Sequence, residues 1–416
     1  MSELISVSIA LLAGLMMTRL MKRINLPDVT AYLVAGVILG PCLLGRLGVP
    51  GLGFTTFDEV ALLQPISDVA LGFIAFAIGS EFRLSHLRST GHAAVTIGVI
   101  QAVMATILVD LSLVGLHFAL GDKLPIPAAI TLGAIAAATA PAATLMVVRQ
   151  YKAKGPLTDL LLPVVALDDA VGLMIFAISF GAAQAMASSH IDLMAVLAAP
   201  VLEIVLSLVL GAVLGWCLTW IEKAFHSNRN RVALITGFII LGVALSMLKL
   251  QIGTLEVGFS SLLVLMMLGT VFCNTCGSSE DLMNRADKWS APLLTLFFVL
   301  SGAALDLTVF SDLAIVGIGL LYIVARSLGK YLGAGFSAKL CHQDHNVQKY
   351  LGITLLPQAG VALGMSAQVG ASTAMGGAGP MVRNIVLFGV LIYELVGPSL
   401  TKWALTKAGD IQPKAQ

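Results

Sequence analysis

The chain has 416 residues, of which 58% are hydrophobic and only 11% charged, with a net charge of +1. A soluble domain carries about 25% charged residues, so a surface solvated by water is excluded and a polytopic membrane protein remains. The net charge by itself says little, and no nucleic-acid partner is expected.

A helical span needs about 20 predominantly apolar residues, and on that measure thirteen spans follow one another in the sequence. The first, 4–21, is expected to be a span and not a cleaved leader, because Glu3 and no basic residue precedes it and no small-residue cleavage site follows. Next come 29–45, 60–80 and 93–119. The fifth, 126–148, contains Ala138-Thr139-Ala140-Pro141, and the sixth, 158–186, contains the adjacent pair Asp168-Asp169. After 194–221, 231–249, 254–273 and 289–306, the eleventh, 312–338, carries Arg326 and Lys330. The twelfth, 349–370, reads Leu356-Pro357-Gln358-Ala359-Gly360 near its middle, and the thirteenth, 383–406, holds Glu394. No loop between spans is long enough for a soluble domain. Cys273 and Cys276 form a C-x-x-C without the further ligands a zinc site needs, and they read as small buried apolar residues.

The basic residues fix an expected orientation. With the N-terminus outside, eighteen of the 24 Lys and Arg residues, Arg83 and Lys414 among them, fall on inner loops or inner span ends. Four, Arg46, Lys123, Lys249 and Arg383, fall outside, and Arg326 and Lys330 lie within a span. That is a strong positive-inside bias, and it places the C-terminus in the cytoplasm.

The two halves of the chain compare with each other. Gly79-Ser-Glu-Phe-Arg-Leu84 matches Gly302-Ala-Ala-Leu-Asp-Leu307, Leu39-Gly40 matches Leu268-Gly269, and Leu132-Gly133 matches Leu351-Gly352. Asp168-Asp-Ala-Val-Gly172 matches Tyr393-Glu-Leu-Val-Gly397. Spans one to six and eight to thirteen are therefore related, span seven joins them, and the odd offset inverts the second half. Inverted repeats with interrupted helices meeting near the midplane are the architecture of many secondary transporters. The fold class expected is an all-α polytopic membrane protein of about thirteen helices, two inverted six-helix repeats joined by a linker helix, with two broken crossing helices in a core. Pro141 and Pro357 mark the interruptions, since proline removes a backbone donor and disfavours helix in the residue before it. A kinked continuous helix is the alternative for either proline alone, and their paired placement favours two breaks.

A carboxylate at a span centre costs about 2.5–3.5 kcal/mol. At 1.5 Å rise per residue, Asp168 and Asp169 lie about 17 Å from the inner end of their span, and Arg326 and Lys330 bracket that depth at about 20 and 14 Å. Arg326 and Lys330 are also i and i+4, on one helix face, so pairing between acids and bases is expected. Snorkelling of Lys330 to the surface is the alternative. Adjacent aspartates point about 100° apart, so one can face Lys330 while the other faces a cavity beside the broken helices. Such a cluster binds a bare monovalent cation or protons, but not both well. Carbonyls of Ala138 and its neighbours and the Thr139 hydroxyl supply the oxygens a hard cation requires. Glu394, repeat mate of Asp169, reads first as a structural hydrogen-bonding group and second as an ion-coupling one. No cofactor is expected.

Thr139-Ala-Pro-Ala-Ala-Thr-Leu145, Lys154-Gly-Pro-Leu-Thr158, Val164-Val-Ala-Leu-Asp-Asp169, Arg326-Ser-Leu-Gly-Lys330 and Leu356-Pro-Gln-Ala-Gly-Val-Ala-Leu-Gly364 together resemble the monovalent cation:proton antiporter-2 family. The resemblance implies a homodimer in the plasma or inner membrane that exchanges sodium, or else lithium or potassium, for protons. It implies a scaffold domain of residues 1–92 and 226–311, a transporting core of 93–190 and 312–408 that moves like an elevator, a linker helix over 191–225, and a cytosolic tail over 409–416. It implies Asp169 as the principal ion ligand, Asp168 as partner of Lys330, and electrogenic exchange. Ala140 stands where an acid often follows the threonine, which leaves the ion preference open. Gly36 and Gly40, i and i+4, offer a small-residue face for the dimer. Other readings are a potassium/proton antiporter and a sodium-coupled symporter for an organic anion, for which only Arg326 is spare. An intramembrane aspartyl protease, whose two acids come from different helices and share a proton, fits adjacent aspartates with basic partners poorly. The chain is thus expected to be a transporter and not an enzyme.

Overall fold

The structure is a computed structural model that describes residues 2–24, 26–49, 53–79, 84–187, 193–248, 250–252, 255–307, 311–372 and 375–411. Arg83, Lys249 and Lys414 of the charge pattern, Ser80–Arg83 of the first repeat motif, and tail residues 412–416 lie outside the described residues.

The helices are α1 (Ser2–Lys22), α2 (Asp28–Leu39), α3 (Phe57–Ala61), α4 (Gln64–Gly79), α5 (Leu84–Leu120), α6 (Ile126–Ala136), α7 (Pro141–Tyr151) and α8 (Pro156–Ala187). They continue with α9 (Leu193–Glu222), α10 (Asn228–Ser246), α11 (Ser261–Thr275), α12 (Ser279–Ala303), α13 (Leu313–Leu340), α14 (His345–Thr354), α15 (Gly360–Ala371) and α16 (Ala378–Ala408). Among the described residues, nine helical stretches are long and apolar enough to cross a membrane, and α4 and α11 are shorter apolar helices.

Several span boundaries differ from the sequence expectation, and three of them have a plain local cause. The second helix stops at Leu39, because Gly40 is extended and Pro41 follows it. The ninth begins at Ser261 and not at 254, because β1 (Leu250–Ile252) and β2 (Leu255–Val257) form a small antiparallel pair ahead of it. The tenth begins ten residues earlier than hydropathy suggests, at Ser279. Its first turns are charged and continue the helix outward, with Asp281 and Arg285 paired at i,i+4 (2.7 Å).

The chain divides into two compact units, one of Met1–Ser89 with Val201–Leu305 and one of Thr90–Pro200 with Asp306–Gln416. In the first, backbones approach through glycine. A Cβ on Gly36 would collide with Val299 O of α12, and one on Gly302 with Leu33 O of α2; likewise Gly79 lies against Met266 O and Gly269 against Phe76 O. The Gly36/Gly40 face expected at a dimer contact is therefore occupied inside the chain by α12. Small residues let helices come close wherever they sit, and the sequence cannot say which helix comes.

In the second unit α13 approaches α5 at Gly329 and Gly333, where a Cβ would meet the backbone of Ala105 and Gln101. Asp312 caps α13 by accepting from Ala314 N (2.9 Å). Helix α8 is capped from far away: Asp410 Oδ2 accepts from Thr158 N (2.6 Å) and Thr158 Oγ1 (2.7 Å). The first residues of the expected tail are thus docked on the helix that carries Asp168 and Asp169.

Candidate functional site

Spans five and twelve are both interrupted. Helix α6 ends at Ala136 and α7 restarts at Pro141; α14 ends at Thr354 and α15 restarts at Gly360. Proline at the first position of α7 has no amide to satisfy and a φ already suited to helix. The two extended linkers cross, and Ala140 N donates to Pro357 O (2.8 Å). Gly397 of α16 lies against the Pro357 ring, where a Cβ would approach to 3.1 Å.

Each break leaves carbonyls without helical partners, and the ends of α6 and α14 carry partial negative charge. Arg326 meets both ends. Its Nε donates to Ala136 O (3.0 Å), Nη2 to Ala138 O (2.6 Å) and Nη1 to Leu356 O (2.7 Å). The guanidinium also lies 4.5 Å from the ring centroid of Tyr393. Arg326 therefore departs from the expected pairing with an acid: its partners are three carbonyls, and among the described residues it makes no salt bridge. Gln358 ties the same region, donating to Ile135 O (3.0 Å) and to Tyr322 Oη (2.9 Å).

Lys330, one turn beyond Arg326 on α13, is fully buried and does not snorkel. Its Nζ donates to Ala137 O (2.5 Å), Thr139 Oγ1 (2.9 Å) and Asp168 Oδ2 (2.9 Å). Asp168 Oδ2 also accepts from the Thr139 hydroxyl. Its other oxygen, Oδ1, accepts from Gln101 Nε2 (2.5 Å), which donates to Gly98 O as well (2.9 Å). Asp168 is thus a buried carboxylate with three donors, one of them an ammonium.

Asp169 is also buried, at 5% exposure, and neither of its oxygens has a partner among the described residues. The two adjacent acids, 100° apart on one helix, sit in opposite circumstances. Glu394 is buried too, and its Oε2 has no hydrogen-bond partner among the described residues. Cys273 and Cys276 are unbridged.

The structure therefore gathers Thr139, Ala138, Pro141, Asp168, Lys330, Arg326, Pro357 and Gln358 around one crossing, with Gly360 opening α15 beside it. Sequence reading missed Gln101, Tyr322 and Tyr393. Tyr322 was within reach, because Tyr322, Arg326 and Lys330 are spaced by four and share a face. Gln101 gives a fainter signal, a lone amide in the apolar run 93–109.

The chain matches the family described as sodium/hydrogen exchanger, transmembrane, over residues 7–407. The Na(+)/H(+) antiporter NhaS4 of Synechocystis sp. is 24% identical over 358 residues, covering 84% of this chain and 83% of that protein. Two solved structures of the sodium proton antiporter MjNhaP1 from Methanocaldococcus jannaschii share the fold. One, at pH 8, has a TM-score of 0.71 with 18% identity and 99% of both chains covered. The other, an electron-microscopy map, has a TM-score of 0.75 with 18% identity and 98% of both covered.

Proposed function

We propose a transport cycle for this chain, which belongs to the sodium/hydrogen exchanger family and is a multi-pass membrane transporter of that cation/proton-exchanging kind. In the cycle, one sodium ion competes with protons for Asp169, and the exchange is electrogenic. The observation that carries this reading is the Asp169 carboxylate, buried with no partner on either oxygen beside a neighbour saturated with donors. A buried carboxylate without a donor needs a proton or a cation, and exchange between the two is antiport.

In this cycle Asp169 is the principal ligand. The Thr139 hydroxyl and the carbonyls of the crossing contribute oxygens as the cation enters. Lys330 holds Asp168 in the proton-loaded state and gives up its own proton when the positive charge of sodium arrives on the neighbouring Asp169. Two protons then leave for one sodium, and charge moves. Arg326 keeps the carbonyl ends of the broken helices in place throughout. The unit of 90–200 and 306–416 carries the ion and moves as an elevator; the unit of 1–89 and 201–305 is the scaffold of a homodimer in the plasma or inner membrane. The N-terminus faces outside and the C-terminus the cytoplasm.

The test is reconstitution in liposomes with an imposed sodium gradient and no organic solute, followed by an internal pH dye. Sodium, lithium and potassium are tried in turn, with and without a potential set by valinomycin. Wild type should move protons against sodium and respond to the potential. Asp169→Asn should insert and fold yet move none, and sodium/proton exchange by that variant at the wild-type rate would refute the assignment.

A further inference from the structure

Asp168 and Asp169 are chemically identical, adjacent and both buried, yet one is saturated and the other bare. Lys330 and Thr139 account for one oxygen of Asp168 only, Oδ2. The second oxygen is held by a residue from a different helix, Gln101 of α5. We infer that Gln101 is a positioning residue that withholds Asp168 from the transported cation, so that a single carboxylate, Asp169, takes the ion. The inference rests on the proposed exchange cycle and adds to it what keeps the paired acids from acting as one dicarboxylate site.

The geometry supports this in three ways. Gln101 is fully buried, so its amide has no competing water. Both groups that it touches on one side, Asp168 Oδ1 and Gly98 O, are acceptors. The amide nitrogen must therefore be the end that faces them, and the orientation follows from the chemistry. The helix is also held where the contact needs it. Gly333 lets α13 reach the backbone of Gln101, and Gly98 leaves 3.7 Å between an added Cβ and Leu167 of α8, next to Asp168. The far end of the amide, Oε1, is buried and has no partner among the described residues. An amide kept with its acceptor empty is retained for its donor.

A hydrogen bond to a charged group is worth roughly tenfold or more in an equilibrium constant. Without Gln101, Oδ1 of Asp168 is a bare buried acceptor beside Asp169, and the pair becomes a two-carboxylate cage. Such a cage grips cations more tightly and releases them more slowly, and it favours divalent ions, which prefer clustered carboxylates.

The experiment uses the full-length chain in liposomes. Gln101→Met keeps length and packing and removes the donor; Gln101→Asn keeps the amide one methylene too short to reach. Sodium KM and maximal rate are measured per folded molecule, together with inhibition by calcium. Both substitutions should lower KM about tenfold and lower the maximal rate with it, and calcium should become an inhibitor at concentrations wild type ignores. A purely structural glutamine would reduce the folded fraction while KM stayed the same or rose, and that result overturns the inference. If Gln101→Met does not fold, Gln101→Asn alone decides. If wild type exchanges no sodium for protons, the exchange cycle itself has failed. Sodium-dependent thermal stabilisation then still tests Gln101, since tighter binding in the variants supports it and unchanged binding overturns it.

Discussion

Removing either member of the Lys330–Asp168 pair should destabilise the protein, and by different amounts. Breaking a buried ion pair costs about 3–5 kcal/mol, because the surviving charge is stranded. Lys330→Ala leaves Asp168 with Gln101 and Thr139 as donors and also strips Ala137 O, at the end of α6, of its donor. It therefore falls at the upper end, about 4–5 kcal/mol. Asp168→Asn leaves Lys330 on Ala137 O and Thr139 Oγ1, and the new amide keeps one acceptor. It falls at the lower end, about 3 kcal/mol. The double variant strands no charge, so its loss should undercut the sum of the two by about 2 kcal/mol or more, far outside the 0.3–0.5 kcal/mol scatter of about additive sites. Reversible unfolding in mixed micelles, followed by tryptophan fluorescence, gives the three differences. Additive losses would refute the pairing, and a larger loss for Asp168→Asn than for Lys330→Ala would refute the role given to Ala137 O.

Three further outcomes follow. Lys330→Gln should turn an electrogenic exchange toward an electroneutral one, read as loss of the response to valinomycin-set potential; an unchanged response would leave Lys330 outside the proton cycle. Arg326→Lys should cost about 3 kcal/mol or more, since one ammonium cannot reach three carbonyls and each bond to a charged donor is worth about 1.5–3 kcal/mol; stability within 1 kcal/mol of wild type, measured in the same micelles, would sink the capping role. Gly36→Leu should lower the melting temperature of the chain by several degrees by driving α2 from α12, with dimer content tracking the folded fraction; selective loss of dimer at full stability would restore the dimer face to Gly36.

The parts legible in the sequence were those set by contrast against an apolar background. Asp168, Asp169, Arg326 and Lys330 stand out because so few charges share their depth, and Pro141 and Pro357 because proline has one consequence for a helix wherever it stands. What was not legible was choice of partner. Arg326 was expected to seek an acid, since charges advertise themselves and carbonyls do not; the carbonyls that it holds exist as acceptors only because two helices break. The Gly36/Gly40 face could not be allotted, because a helix bearing small residues looks the same whether a neighbour in the chain or a second copy closes on it. The charged first turns of α12 escaped a hydropathy reading because their helicity rests on i,i+4 pairing and on continuity with the apolar turns that follow. Asp410 capping α8 was invisible for the plainer reason that 252 residues separate it from Thr158.

The division of labour between the two bases of α13 follows from their chemistry. A guanidinium is charged at every accessible pH and presents several donors in a plane. That suits a group which must hold carbonyls of two helix breaks at once, throughout the proposed cycle, and Arg326 does this with three nitrogens. An ammonium is a compact charge on a flexible stem and can release its proton when its surroundings change. Lys330, one turn away, touches one carbonyl, one hydroxyl and one carboxylate, and the hydroxyl is a group that an arriving cation would also claim. If the bases were exchanged, the crossing would rest on a group that can neutralise and the carboxylate would be locked by one that cannot. The double exchange Arg326→Lys with Lys330→Arg preserves charge and composition. It should therefore lose both stability and exchange, and measured transport at the wild-type rate would show that position alone, and not the kind of base, governs the site.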